Sequence, residues 1–389
     1  MPAIAPSSPI TALVTGANGY IAAHTIRTLL SRSPQWQVVG TVRSASKGIY
    51  LTETLFKEAT QEGRFRVVVV EDIGLDGAFD EIFKDGDIEV VFHMASPVTY
   101  QFEETDDIIV PALKGTTSIL ASALRYGTSL KRIVLTASTA TIITPDAPPP
   151  ATFDETCWNE ASVKEVEEKG KNANPREVYR ASKVLAEKAA WKFVEDHKHE
   201  IGWDLVVMCP PLVLGPPIHD TTGPSGPLSA INMTMQTFYN NVVLGPTSPS
   251  TLNTASNCWV DVRDIAEAEV RAAEREACGG ERIVLSGGEY WWQDIVDVAH
   301  TITPPPIPNL PLGLPGSTKD KPFEVIYNTS KAYRLLGMGR ADSSSTSDNG
   351  RRGKVNGMKT LGEMVSDSIE WFATVGGVKE GGRGLLEAK

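Results

Sequence analysis

Short runs of aliphatic and β-branched residues alternate with longer helical stretches through the first two-thirds of the chain. The runs are continuously apolar, which is typical of parallel strands covered by helices on both faces. The predicted strands are residues 11–15, 37–42, 65–70, 88–92, 132–136 and 205–208. Because crossover connections between parallel strands are right-handed, this order predicts an α/β fold with a doubly wound parallel sheet.

The helical stretches and a change of composition predict the domain organisation. Helices are expected at residues 19–30, 49–61 and 177–193. After Pro210, proline and glycine cluster and helical pieces at 264–275 and 292–302 remain. We therefore predict one domain mainly over 1–210 and a smaller lobe mainly over 211–389, with one strand or helix returning to the sheet. The Ser-rich residues 341–354 are expected to form a flexible surface insertion.

The first predicted strand runs into the turn Thr-Gly-Ala-Asn-Gly-Tyr-Ile-Ala, residues 15–22. Gly16 permits a tight turn, and Gly19 lets the backbone approach a pyrophosphate at the start of the next helix. Ala22 is small enough for that helix to pack close to the strand. A strand before the turn and a helix after it favour dinucleotide binding over a turn of structural use alone.

The end of the second strand carries a signal for the choice of dinucleotide. Sites for NAD usually place an acidic residue there to accept a hydrogen bond from the ribose 2′-hydroxyl, but this chain has Arg43, with Lys47 nearby. Both cations suit a 2′-phosphate, so we expect NADP(H). The alternative is a solvated arginine at a strand end.

Candidate catalytic residues follow the fifth strand and lie in the helix at 177–193. Tyr179 and Lys183 are four residues apart and share one helix face. A tyrosine, with a pKa of ~10, is a poor acid–base group at neutral pH, and a nearby ammonium favours its phenolate form. Ser138 follows the fifth strand, where its hydroxyl would hold a substrate carbonyl; Thr136 and Thr139 are neighbouring alternatives. The structural alternatives are that Tyr179 and Lys183 form an ordinary pair on a helix surface and that Ser138 is a plain hydroxyl at the end of a strand.

Taken together, six ordered motifs resemble the extended short-chain dehydrogenase/reductase family. The motifs are TGANGYIA, Asp72-Ile73, FHMASP, LTAST, YRASK and CPPLVLGP. Within that family the chain is similar to the dihydroflavonol-reductase-like carbonyl, aldehyde and methylglyoxal reductases, which also share WVDVRDIA at 259–266. The resemblance implies a Rossmann domain and an enzyme that reduces a ketone or aldehyde to an alcohol with NADPH, reversibly.

The resemblance also assigns roles by position. It implies Ser138, Tyr179 and Lys183 as catalytic residues. The residues implied for NADP(H) are Gly16, Asn18, Gly19, Tyr20, Ile21, Arg43, Lys47, Asp72, Ile73, Met94, Ala95, Ser96, Thr136, Tyr179, Lys183, Pro210, Leu212 and Val213. The expected substrate walls are Pro97, Val98, Tyr100, Thr139, Pro211, Met235 and Phe238. Two departures from the family are Ala137, where serine is common, and long segments at 144–175 and 341–353.

Composition narrows the classes of partner. A net charge of −11 argues against nucleic acid or an anionic membrane, since both attract basic surfaces. No run of about twenty apolar residues and no secretory signal pattern stands out. The four cysteines show no CxxC spacing, so no metal site is expected and reduced thiols are the default. We expect a cytoplasmic protein, monomeric or homodimeric, whose partner is a small carbonyl compound.

Other functions share parts of this pattern. A nucleotide-sugar epimerase or dehydratase has the same fold and catalytic residues but needs polar groups that bind a nucleoside diphosphate. A 3β-hydroxysteroid-type dehydrogenase is a further enzyme alternative, more often with NAD. A non-catalytic regulator that senses NADP would keep the glycine turn and lose the tyrosine–lysine pair, whereas both are present here.

Overall fold

The computed structural model describes residues 9–96, 102–145, 147–223, 226, 228–340 and 357–375. Within them the strands, in chain order, are β1 (Ile10–Val14), β2 (Trp36–Val42), β3 (Phe65–Val69), β4 (Ile88–His93), β5 (Arg132–Thr136), β6 (Ala151–Phe153), β7 (Asp204–Cys209), β8 (Leu212–Leu214), β9 (Asn257–Asp261), β10 (Arg282–Val284), β11 (Gly288–Tyr290) and β12 (Val325–Tyr327). The α-helices are α1 (Tyr20–Arg32), α2 (Ala45–Tyr50), α3 (Lys57–Gln61), α4 (Asp80–Asp85), α5 (Asp106–Tyr126), α6 (Glu160–Lys169), α7 (Pro175–Asp196), α8 (Met233–Phe238), α9 (Val262–Glu274), α10 (Trp292–Ala299), α11 (Ser330–Leu336) and α12 (Leu361–Thr374).

The chain divides into two compact units, each assembled from separate stretches. The first comprises Met1–Ala147, Asp154–Cys209 and Ala266–Val284. The second comprises Pro148–Phe153, Pro210–Ile265 and Leu285–Lys389. The functional assignment of the two predicted domains stays a prediction.

The first unit is built on a seven-stranded sheet in the order β10-β7-β5-β4-β1-β2-β3. Every neighbouring pair in it is parallel. The expected doubly wound sheet is thus confirmed. Successive strands move away from β1 in one direction and from β4 in the other, so the order reverses between these two strands. Ligands of such sheets bind at this reversal, beside the carboxyl ends of the strands.

The central strands have continuous apolar runs in the sequence because both of their faces are buried. Leu13 of β1, Val90 of β4 and Val134 of β5 are completely buried. The long helices α5 and α7 pack against each other in this unit. By length and composition α5 could cross a membrane, but half of its apolar window is buried inside the protein. Helices in the core of a protein commonly have this length and apolar composition.

The single helix expected over 49–61 is wrong. The structure has α2, a π-helical turn over Leu51–Leu55 and then α3. At Phe56 the backbone leaves the helical region (φ −123°, ψ 30°), and its amide donates to the carbonyl of Leu51. The side chain of Phe56 is buried with its ring 5.0 Å from that of Phe65. The wider turn therefore aims Phe56 at the sheet.

The second unit contains a three-stranded sheet in the order β11-β9-β8 and a parallel pair of β12 with β6. Helix α12 begins at a capping box in which Thr360 and Glu363 each accept from the other's backbone amide. Its residue Phe372 packs against Phe238 and Tyr239, with ring centroids 6.0 and 5.1 Å away. The predicted insertion at 341–354 lies outside the described residues.

Candidate active site

The glycine turn after β1 has the backbone shape that its sequence predicts. Gly16 has φ +66°, a conformation that favours glycine, and a Cβ there would lie 3.2 Å from the Cα of Ala95. The amide of Ala17 donates to the carbonyl of Thr41 at 2.8 Å, which fixes the turn against β2. Glycine is therefore needed at this position both for the positive φ and for the close approach of the loop at Ala95.

Helix α1 begins directly after this turn, with Gly19 as its N-cap. The amide of Gly19 donates to the carbonyl of Gly16 at 2.8 Å. The first amides of any α-helix lack intrahelical acceptors, so those of Tyr20 and Ile21 are suited to an anion. Asn18 is half-buried within the turn. These residues fit the pyrophosphate of a dinucleotide, and their assignment stays a prediction.

Thr15, which the sequence analysis did not single out, joins the glycine turn to the end of β4. Its hydroxyl oxygen accepts hydrogen bonds from the amides of Met94 and Ala95, both at 3.0 Å. The same oxygen lies 3.1 Å from Nδ1 of His93. One buried hydroxyl thus fixes the loop after β4 beside the turn after β1, at the reversal of the sheet.

The residues predicted to bind the adenosine half follow β2 and β3. Arg43 and Lys47 are exposed, and the structure gives them no ion pair within its described residues. Both cations therefore remain available for a phosphate. Asp72 accepts a hydrogen bond from the amide of Gly74 at 2.8 Å, and the carbonyl of Ile73 accepts one from Ser118. Asp72 and Ile73 thus form a fixed turn after β3.

Helix α7 carries the predicted tyrosine and lysine. It begins at Pro175, and the side chain of Asn174 accepts from the amide of Arg176 at 2.9 Å, which caps the helix. One turn separates Tyr179 from Lys183, and the ammonium of Lys183 lies 5.8 Å from the centroid of the Tyr179 ring. The expected pair is therefore adjacent in space.

The ammonium of Lys183 also has a hydrogen-bond partner in the loop that follows β4. Its Nζ donates to Oγ of Ser96 at 2.7 Å, in the loop after β4. Burial lowers the pKa of Lys183 to about 8. The amine therefore remains mainly protonated at pH 7, a positive charge beside the phenol of Tyr179.

Ser138 caps the 3-10 turn Thr139–Thr141 that follows β5. Its hydroxyl oxygen accepts from the amide of Ala140 at 3.1 Å, so its own proton is available to another acceptor. Helix α7 packs against this turn, which brings the serine to the same end of the sheet as Tyr179 and Lys183. Thr139 is buried, and Thr136 donates its hydroxyl proton to Glu269 at 2.6 Å.

The remaining predicted residues lie in the second unit or outside the described residues. Pro210 and Pro211 are buried, and Leu212 and Val213 belong to β8, which pairs with β9. Met235 and Phe238 of α8 are completely buried, and Phe238 stacks on Phe372 as core residues do. Their contacts with cofactor or substrate stay predictions. Pro97, Val98 and Tyr100 lie outside the described residues.

A buried ion pair behind the site escaped the sequence analysis. Arg282 of β10 donates to both carboxylate oxygens of Glu187, at 2.6 and 3.2 Å, and Glu187 lies one helical turn after Lys183. The same guanidinium donates to the hydroxyl of Thr141 at 2.7 Å. It therefore connects the turn that begins at Ser138 with the helix that carries Tyr179. No short-range pattern reveals a contact between residues 95 positions apart; only the four-residue spacing of 179, 183 and 187 hints at a shared face.

Comparison with known proteins defines the class. A family model described as the NAD dependent epimerase/dehydratase family matches residues 12–286. This match covers more than half of the chain, and the matched segment contains both the glycine turn and the tyrosine–lysine pair. The chain belongs to this family, so the expected family is confirmed.

Individual relatives narrow the comparison to reductases. The ketoreductase azaE of Aspergillus niger is 38% identical over 339 residues, which cover 84% of this chain and 92% of that protein. The NADPH-dependent methylglyoxal reductase GRE2 of Saccharomyces cerevisiae is 31% identical over 331 residues, covering 83% and 92%. A crystal structure of yeast methylglyoxal/isovaleraldehyde reductase Gre2 complexed with NADPH has a TM-score of 0.76 at 28% identity, with 94% of this chain and 98% of that chain covered.

Proposed function

We propose that this chain reduces a small to medium-sized, largely apolar ketone or aldehyde to an alcohol with NADPH. The observation that carries the proposal is that Tyr179 and Lys183 are adjacent on α7, and that α7 packs against the turn capped by Ser138 at the end of β5. The reductases among the relatives support the reaction class, and the NADPH complex of a structural neighbour supports the cofactor.

The side chains divide the proton chemistry between them. When bound, NADPH supplies the hydride for the carbonyl carbon. Ser138, whose oxygen already accepts from the amide of Ala140, donates its proton to the substrate carbonyl and orients it. Tyr179 gives its phenolic proton to the oxygen as the alcohol forms. The ammonium of Lys183, fixed by Ser96, stabilises the phenolate that remains.

The choice of NADP(H) rests on the end of β2. Arg43 and Lys47 are exposed. Among the described residues neither forms an ion pair with an acidic side chain that would compete with a phosphate for its charge. Two cations at this point suit charge-assisted hydrogen bonds to a 2′-phosphate. Gly16, Gly19 and the first amides of α1 would hold the pyrophosphate, and Asp72 and Ile73 would flank the adenine.

The substrate assignment follows the apolar residues expected around the nicotinamide. They carry few charges, so the substrate is held mainly by burial and oriented at its carbonyl group. A cytoplasmic location, a monomeric or homodimeric state and the absence of nucleic-acid or membrane partners belong to the same proposal.

The test is oxidation of NADPH and NADH by the purified chain with aromatic ketones, short dicarbonyls and nucleotide sugars at equal concentrations. Reduction of ketones or aldehydes with NADPH is expected. In a series of alkyl ketones, each added methylene should lower KM by about fourfold until the pocket is full, since burial contributes about 0.8 kcal/mol per methylene. Turnover of nucleotide sugars alone would replace the proposal with an epimerase or dehydratase, and no turnover with tight NADPH binding would indicate a regulator.

A further inference from the structure

A small, partly open cavity in the first unit lies beside the ammonium of Lys183. Its volume is about 20 Å³, and its wall includes Ser96, Thr136, Lys183 and Glu187 together with the ring of His93. A cavity of this size with several polar groups in its wall has room for one water molecule. Lys183 therefore faces this cavity as well as Tyr179.

Hydrogen bonding at Thr15 fixes which nitrogen of His93 carries the proton. The hydroxyl oxygen of Thr15 accepts from the amides of Met94 and Ala95, so its own proton points to Nδ1 of His93. Nδ1 is thus the acceptor, and the ring proton is on Nε2. Burial, with a smaller effect from the charge of Lys183, lowers the pKa of His93 to about 4, so the ring is neutral at pH 7.

The Nε2 proton of His93 is buried and has no hydrogen-bond partner within the described part of the chain. Leaving such a donor unsatisfied is costly, and sites of this kind are usually completed by internal water. Lys183 uses one ammonium proton for Ser96 and has two more to donate. Thr136 gives its proton to Glu269, which leaves its oxygen free to accept another hydrogen bond.

We propose that the cavity binds one ordered water molecule that accepts from Nε2 of His93 and Nζ of Lys183 and donates to Oγ1 of Thr136. His93 is then a positioning residue that acts on Lys183 through this water. Three partners are the usual number for a buried water. The inference rests on the proposed function only for its kinetic consequence.

The water stabilises the charged form of Lys183. The groups that face this ammonium are Tyr179 from the same helix, neutral His93 from β4 and Ser96 from the following loop. Glu187 also lines the cavity, but its charge is paired with Arg282. Removing the water leaves Ser96 as the main hydrogen-bond acceptor and lowers the pKa of Lys183 further.

His93→Leu and His93→Gln separate this role from packing. Leucine removes the ring proton, whereas glutamine keeps an N–H donor near the position of Nε2. With a saturating ketone and NADPH, His93→Leu should lower kcat by about tenfold and move its high-pH limb to lower pH by about one unit. His93→Gln should stay within about threefold of wild type and keep the limb in place.

A second variant reaches the same water without altering a polar group. Ala186 lines the cavity, so Ala186→Val should fill it and reproduce the shift of the pH limb. If both His93→Leu and Ala186→Val lower kcat with the limb unmoved, the residues have only a packing role and the proposal is overturned.

A high-resolution crystal structure of the wild-type protein gives a readout that does not depend on activity. It should show a density peak within hydrogen-bonding distance of both Nε2 of His93 and Nζ of Lys183. A dry cavity, or a protein acceptor at Nε2, would overturn the proposal. If the peak is present but no carbonyl compound is reduced, the proposed function fails while the water site stands.

Discussion

The phenol of Tyr179 and the ammonium of Lys183 act as one unit because each constrains the other. The ammonium is buried and held by Ser96, so its charge stays beside the phenol and is little screened by solvent. In the proposed reaction, proton donation from the phenol creates a negative charge that this ammonium would stabilise. At the scale of single residues, the site therefore depends on the position of one hydroxyl group.

Tyr179→Phe removes only that hydroxyl. We expect turnover to fall by about 10²- to 10⁴-fold, because proton transfer by a positioned side chain is lost. NADPH affinity, measured by fluorescence titration, should stay near that of wild type. Tyr333→Phe is the matched control, since Tyr333 is 39% exposed on α11. Turnover within a few-fold of wild type would assign the proton to another group.

At the scale of elements, Arg282 connects three parts of the first unit. It pairs with Glu187 on α7, donates to the hydroxyl of Thr141, and also donates to the carbonyls of Glu155 and Cys157. The guanidinium lies 3.9 Å from the centroid of the Trp158 ring. Edge strand β10 thereby sets the distance between the Ser138 turn and the Tyr179 helix.

Arg282→Met should destabilise the protein by about 3–5 kcal/mol in denaturant unfolding, because Glu187 becomes an unpaired buried charge. The double variant Arg282→Met with Glu187→Met removes that charge and should recover most of the stability. It should not recover kcat, because the connection to Thr141 is still absent. Full recovery of both properties would show that the pair contributes to stability alone. Arg125→Met, at an exposed ion pair with Asp76, is the control.

Another connection between elements runs through the buried carboxyl of Glu269. It accepts from Thr136 at the end of β5 and from Thr25 of α1, at 2.6 and 3.0 Å. Burial raises the pKa of Glu269 to about 7, and the two hydroxyl groups offset only part of this effect. The folded state therefore holds this proton more tightly than the unfolded chain does.

The raised pKa of Glu269 determines whether stability rises or falls with pH. Between the ordinary pKa of 4.5 and the folded value of about 7 the folded state binds more protons, so stability falls as pH rises through this window. Glu269→Gln removes the ionisation and keeps an acceptor for Thr136. Relative to wild type it should gain up to about 3 kcal/mol between pH 5 and pH 8, measured by urea unfolding. The control is Glu195→Gln, at an exposed side chain; an equal stability difference at both pH values would contradict the assignment.

For the whole molecule, the sequence predicted the parts of the fold that depend on local pattern. Six parallel strands and helix α7, which carries Tyr179 and Lys183, were expected close to where they lie, because their apolar runs and helical spacing are continuous. The seventh strand, β10, was not assigned, since three residues give no periodicity and its place beside β7 depends on pairing across the sheet. The π-helical turn before Phe56 was missed for the same reason: burial of that ring decides it.

The candidate site divides in the same way. The positive φ of Gly16 and the adjacency of Tyr179 and Lys183 could be predicted from short motifs, while the roles of these residues stay predictions. The groups that connect the surrounding elements could not, because Thr15, Glu269 and Arg282 contact partners that are 78 to 244 positions away. The residue types do not indicate burial either, since a threonine, a glutamate and an arginine in amphipathic surroundings are usually surface residues.

Cofactor choice can be tested through the stability of the whole protein. A ligand that binds only the folded state stabilises it by ~2.7 kcal/mol at a concentration about 100-fold above its Kd. NADPH should therefore raise Tm by several degrees, and NADH at the same concentration by clearly less, because in the proposed site Arg43 and Lys47 would contact only the 2′-phosphate. Arg43→Asp should reduce the NADPH effect to that of NADH, since it places a like charge beside the phosphate. Arg334→Asp makes the same change of net charge at an exposed residue of α11 and should keep the difference. Equal protection of the wild-type protein by NADPH and NADH would rule out the 2′-phosphate assignment, whatever the effect of Arg43→Asp.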